Sequence, residues 1–165
     1  MLTNVYLAKD SFMFKKFDRE LFLKFDKLAR DAGKRYWTSK DYYVEDNKDR
    51  YGPDLIVTSK SLGVDGNTNK FYCEVEIKRP WKGKKFQYEK LQIPQRKGKF
   101  LDKSKYSLPI CFFVFNSDQT YGYLIEGETL AKTPVVEVPN KYVYKGEKFY
   151  QVPAKNLIPL EIPSE

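Results

Sequence analysis

Phe71-Tyr72-Cys73-Glu74-Val75-Glu76-Ile77-Lys78-Arg79-Pro80 is the stretch that decides how this chain folds. Apolar and charged residues alternate along it, as in a β-strand with two unlike faces. Cys73, Val75 and Ile77 are expected to point into a core, and Glu74, Glu76 and Lys78 to point together the other way. Pro80 ends the strand, because proline cannot donate to the ladder. Two acids and a lysine in a row can be an ordinary solvated face with an acid–base pair, worth little energy. The preceding strand argues for more. Tyr51-Gly52-Pro53 is turn chemistry leading into the apolar run Asp54-Leu55-Ile56-Val57-Thr58. The Asp54 carboxylate is expected at the same sheet edge as Glu76.

Outward from this pair, Gly63-Val64-Asp65-Gly66-Asn67 reads as a hairpin connection. Upstream, Phe14, Phe17, Leu21, Phe25 and Leu28 recur at three and four residues, which predicts an amphipathic helix over 12–32. Asp10 or Ser11 would cap its start and Gly33 its end. A short strand is expected over 34–39, and a charged, solvated loop over 40–50. Downstream, residues 82–105 are strongly basic and are expected to form a helix starting near or interrupted by Pro94. Leu108–Phe115 reads as a buried strand, 116–119 as a turn and Thr120–Ile125 as the return strand. After Pro134, short strand-like pieces alternate with prolines. They are expected to form a peripheral tail or a final hairpin, with Tyr142, Tyr144, Phe149 and Tyr150 against the sheet or a partner. The sum is an α/β (α+β) chain of one domain over 1–165, with a core of about 12–126 and a C-terminal extension of about 127–165.

The composition narrows the chemistry. The 165 residues include no histidine, which removes imidazole bases, histidine metal ligands and Ser-His or Cys-His nucleophiles together. Cys73 and Cys111 sit in apolar runs and read as buried free thiols. No run of about 18 apolar residues occurs, so no membrane partner is expected. The start of the chain does not read as a secretory signal, so a cytoplasmic protein is expected. Thirty Lys and Arg against 22 Asp and Glu give a net charge of +8, which favours a polyanionic partner.

Carboxylates, lysine and a hard metal are therefore the available tools. Asp54 and Glu76, with the backbone carbonyl of Ile77, can hold Mg²⁺. Such an ion polarises a phosphate and acidifies bound water. Lys78 can orient the attacking water or stabilise developing charge. Glu74 shares the face of Glu76 and is a second possible ligand.

Pro53-Asp54 followed by Glu76-Ile77-Lys78 resembles the motif of the PD-(D/E)xK nuclease superfamily, which includes restriction endonucleases, phage exonucleases and Holliday-junction resolvases. The resemblance spans roughly residues 12–126 as an order of elements. It implies a restriction-endonuclease-like mixed central sheet flanked by helices, and a Mg²⁺-dependent nuclease, with Mn²⁺ able to substitute. It implies that the first helix lends an acid, best matched by Glu20, with Asp18 and Lys24 as weaker matches. It also implies polar or basic residues after the lysine, where Gln92, Gln95, Arg96 and Lys97 stand. With Lys82, Lys84 and Lys85 these are the expected DNA contacts, RNA being a further possible substrate. The small size suits structure-selective cleavage by a homodimer, or a phage-encoded nuclease in a larger assembly. The alternatives are a non-catalytic nucleic-acid-binding module on the same scaffold and a structural or inhibitory protein whose charge reflects solubility.

Overall fold

The structure, a computed structural model, describes residues 18–140 and 143–165, without the side chains of 140 and 143–145. Helix α1 runs Arg19–Ser39. Asp18 caps it, its Oδ1 accepting from the Leu21 N–H at 3.1 Å. Ala29, Ala32, Gly33, Tyr36 and Trp37 form its buried stripe. The helix therefore continues past the expected stop at Gly33, and residues 34–39 are its last turns rather than a strand. Tyr36 and Trp37 extend the apolar stripe, and that outweighs the glycine. A Cβ on Gly33 would come within 3.0 Å of Leu55 Cδ1 and 3.1 Å of Val75 Cγ1, so this glycine permits close helix–sheet packing. Asp41, at φ 69°, turns the chain away. Phe14, Phe17 and the expected caps Asp10 and Ser11 lie outside the described residues.

The chain then forms β1 (Tyr42–Asp46), β2 (Leu55–Leu62), β3 (Thr68–Ile77), β4 (Lys90–Pro94) and a 3-10 helix (Gln95–Leu101). It goes on through β5 (Ile110–Phe115), β6 (Tyr121–Glu126), α2 (Gly127–Ala131), β7 (Val135–Asn140), β8 (Val143–Pro153) and β9 (Ile158–Glu161). Among the described residues, six strands make a mixed sheet in the order β1-β2-β3-β5-β6-β9. Its neighbours are antiparallel except β3 and β5, which run parallel. A second sheet has the order β4-β8-β7. The expected loop over 40–50 thus contains an edge strand. Tyr42 and Val44 are half-buried there while Tyr43 and Glu45 face out, so the charges mark an exposed face rather than the absence of a strand.

The expected helix in 82–105 is also replaced. Leu91 and Ile93 alternate as buried residues of β4, and Pro94 cannot donate within a helix. A 3-10 segment ending near buried Phe100 follows. After Pro134 the chain is built into both sheets: β8 pairs with β4 and β7, and β9 extends the main sheet beside β6. Tyr142 and the side chain of Tyr144 lie outside the described residues.

Two cores cover the faces of the main sheet. On one face Ala29, Ala32, Tyr36 and Trp37 pack on Leu55, Val57, Cys73, Val75, Phe113 and Phe115. On the other, Leu91, Ile93, Phe100 and Val152 pack on Ile110, Phe112, Val114 and Ile125. β5 serves both cores, which is why Ile110–Phe115 is apolar throughout. Cys73 and Cys111 are buried free thiols at partner positions of β3 and β5. Burial pushes the Cys73 thiol well up, so it stays protonated. Among the described residues no helix is long and apolar enough to cross a membrane.

Candidate functional site

Asp54 stands immediately before β2, and the antiparallel register places it beside Glu74 of β3. All its polar atoms are engaged. Oδ2 accepts from the Val75 N–H at 3.0 Å, and Oδ1 from Arg30 Nη2 at 3.0 Å. Its carbonyl accepts from Arg30 Nη1 at 3.1 Å and from the Asn47 N–H at 3.0 Å. Its own N–H donates to Glu74 Oε1 at 3.1 Å. Arg30 comes from α1, where Asp26 holds its Nε at 2.9 Å, and it also reaches Asp46 at 3.4 Å. Burial works against the guanidinium, but Asp26, Asp54 and Asp46 outweigh it and raise its pKa.

On β3, Glu74 and Glu76 share the face opposite α1, as strand alternation requires. Lys97, from the 3-10 helix, lies between them, its Nζ 3.4 Å from Glu74 Oε2 and 3.2 Å from Glu76 Oε1. Lys78 Nζ is 2.9 Å from the other Glu76 oxygen. Side-chain exposure is only 11% for Glu74 and 16% for Lys97, so the pairing is shielded from water. Burial pushes Glu74 up to about 8; Lys97 opposes that rise and Asp54 adds to it. Burial would raise Glu76 too, but Lys78 and Lys97 outweigh it and hold its carboxyl at about 2. Two acids two residues apart thus titrate in opposite directions, because Glu76 has two ammonium partners and Glu74 has one.

Glu76 and Lys78 are in direct contact further along β3, Asp54 reaches that strand at Glu74 and Val75, and the Ile77 carbonyl belongs to the last residue of β3. The acid in direct contact with Asp54 is Glu74. Glu20 is exposed in the first turn of α1. It lies about 15 Å along the helix axis from Arg30, too far to join this group. The α1 acid that does approach is Asp26, through Arg30. Strand register and the path of the β3–β5 connection decide these neighbours, and neither is written in local spacing. Arg30 carried one usable signal, its position one residue past Ala29 on the border of the buried stripe.

The expected DNA contacts divide. Lys82, Lys84 and Lys85 are exposed on a loop between Trp81 and Phe86. Trp81 is fully buried, stacked on Tyr123 at 4.9 Å and edge-on to Phe86 at 5.3 Å, which anchors the loop. Lys84 Nζ sits 5.1 Å above the Tyr121 ring. Gln92 is half-buried opposite Gln151, and Gln95 is exposed. Arg96 is exposed and 3.5 Å from Glu147. Lys97 is the exception: the basic run suggested a surface contact, yet its ammonium is turned inward onto Glu74 and Glu76.

Comparison of the chain with family models, curated proteins and solved structures returns no match. Among the described residues no group of three or more Cys, Asp or Glu is arranged to hold a metal ion. The donor chemistry nonetheless suits a hard divalent ion, since Asp54, Glu74 and Glu76 offer carboxylate oxygens. Glu74 and Glu76 already share one cation, the Lys97 ammonium.

Proposed function

We propose that this chain is a Mg²⁺-dependent nuclease of the PD-(D/E)xK type that hydrolyses DNA phosphodiester bonds. We read it as an endonuclease that responds to backbone or branch shape rather than base sequence. One observation carries the reading: Asp54 meets Glu74 across β2 and β3, with Glu76 and Lys78 on the same strand face beyond. The element order adds support. A helix, a strand, the strand after Pro53-Asp54, the strand of Glu76 and a later strand follow one another in a mixed sheet, in the order the resemblance implies. The connection to that last strand departs from the pattern, carrying β4 and a 3-10 helix where the family implies an α-helix.

Asp54, Glu76 and the Ile77 carbonyl would hold the ion, with Glu74 as a further carboxylate. When bound, Mg²⁺ or Mn²⁺ supplies Lewis-acid polarisation of phosphate and a more acidic water. Lys78, tethered to Glu76, places a cation where charge builds on the phosphate. Arg30 fixes the Asp54 carboxylate. The exposed lysines 82, 84 and 85 follow directly after β3 and offer phosphate contacts beside the site.

A second reading, a non-catalytic nucleic-acid-binding module, is favoured by one fact: Asp54, Glu74 and Glu76 each already contact a basic side chain. Linear, branched and single-stranded DNA and RNA, incubated with protein in Mg²⁺, Mn²⁺ or EDTA, separate the two. Products that need metal support the nuclease. Retarded bands without product in any metal support the module. Neither product nor retardation at low salt removes both.

A further inference from the structure

The connection from β3 to β5 delivers one side chain to the carboxylates, and its delivery is built into the backbone. The 3-10 helix Gln95–Leu101 is pinned by buried Ile93 and Pro94 before it and buried Phe100 within it. Gly98 sits against the Tyr150 hydroxyl of β8, where a Cβ would collide with the Tyr150 side chain. Lys97, next to that glycine, has its Cα set while its stem reaches inward. Lysine is seldom buried to 16% exposure unless paired, and this one bridges two acids. Lys78 approaches Glu76 from its other oxygen.

We propose that Lys97 is an internal counterion occupying the cation seat between Glu74 and Glu76, so that a divalent ion binds there only by displacing it. The inference rests on the metal-site reading above. Two cations cannot share the same pair of oxygens, so pairing and metal binding are alternatives. The backbone is pinned and the side chain is flexible, so exchange needs a rotamer change and no refolding of the segment. Lys97 keeps the two glutamates together without metal, at the cost of weaker metal affinity. Once displaced, its ammonium is a mobile cation beside the ion, suited to a phosphate oxygen.

The test is Mn²⁺ titration of the wild type and Lys97→Met, followed by the electron paramagnetic resonance of free Mn²⁺. Melting curves of both are taken in EDTA and in Mn²⁺. Lys97→Met is expected to bind Mn²⁺ about tenfold or more tightly, because the competing state is gone. It is expected to melt lower than wild type in EDTA and to regain more than wild type on adding Mn²⁺. Lys97→Gln replaces it if the Met variant does not fold. Equal or weaker Mn²⁺ binding by the variant overturns the counterion role and leaves the metal-site reading standing. Absence of Mn²⁺ binding by wild type and variant alike overturns both.

Discussion

Asp54 is spent on structure as fully as on chemistry. Its two carboxylate oxygens hold Arg30 and the Val75 N–H, so Asp54→Ala leaves Arg30 Nη2 and a β3 amide without an acceptor, while Asp26, Asp46 and the residue-54 carbonyl still hold the rest of the guanidinium. That variant is expected to lose about 1–3 kcal/mol of stability in urea unfolding, as when an acceptor is taken from partly buried donors. Asp54→Asn, which keeps an oxygen acceptor, is expected to lose less. Glu74 makes a pH prediction. Its folded pKa of about 8 lies above the ordinary value of 4.5, so its protonated form favours folding. That contribution is complete below about pH 4.5 and is lost as pH rises through about 8. Glu76, held at about 2, has the opposite sign: its contribution is complete above about 4.5 and lost on acidification toward 2. Glu74→Gln should therefore flatten the fall in melting temperature between pH 5 and 8. An unchanged slope would show that Glu74 does not titrate in that window. The positions of Asp54 before β2 and of Glu76 and Lys78 on one face of β3 were legible in the sequence because alternation and turn chemistry are local. The Asp54–Glu74 contact was not, because it depends on which residue of β3 faces which residue of β2.

At the scale of the element, α1 shows how a local signal is overridden. Gly33 followed by basic and β-prone residues reads as a helix end, but Tyr36 and Trp37 gain more by continuing onto the sheet. Trp37 meets Phe71, Tyr42 and Phe113 edge-on. Gly33→Leu is expected to destabilise the protein by about 1–3 kcal/mol through overpacking against Leu55 and Val75. A neutral result in urea unfolding would mean that helix and sheet can separate without cost. The same override explains β1, whose outward charges hid its half-buried Tyr42 and Val44. In β4, Leu91 and Ile93 obey strand alternation, but a run of only two apolar positions is short beside the basic residues that flank it. The apolar runs of β2, β3, β5 and β6 were legible, though β2 and β3 extend further toward their hairpin than those runs do.

On the scale of the whole molecule, charge is the property most easily read and least easily placed. The net charge of +8 did not distinguish lysines that face solvent from one that is turned inward onto buried Glu74 and Glu76. Lys82, Lys84 and Lys85 are of the first kind, and Lys97 is of the second. Replacing the three exposed lysines with glutamine should reduce the salt slope of DNA binding by up to about three, with little change between sequences. The mixed α+β class and the central strands followed from periodicity. The joining of the C-terminal segment to both sheets did not, because pairing partners far apart in sequence leave no local mark. Lys78 is the residue on which nuclease activity would turn, since the motif, the strand face and the contact with Glu76 all single it out. The most direct measurement is the single-turnover rate of DNA cleavage in Mg²⁺ by wild type and Lys78→Met, with folding and DNA retention checked on both. Wild type is expected to cleave in a metal-dependent way, and the folded, DNA-binding variant to lose at least about a hundredfold in rate. Equal cleavage rates for the two proteins would contradict the nuclease reading.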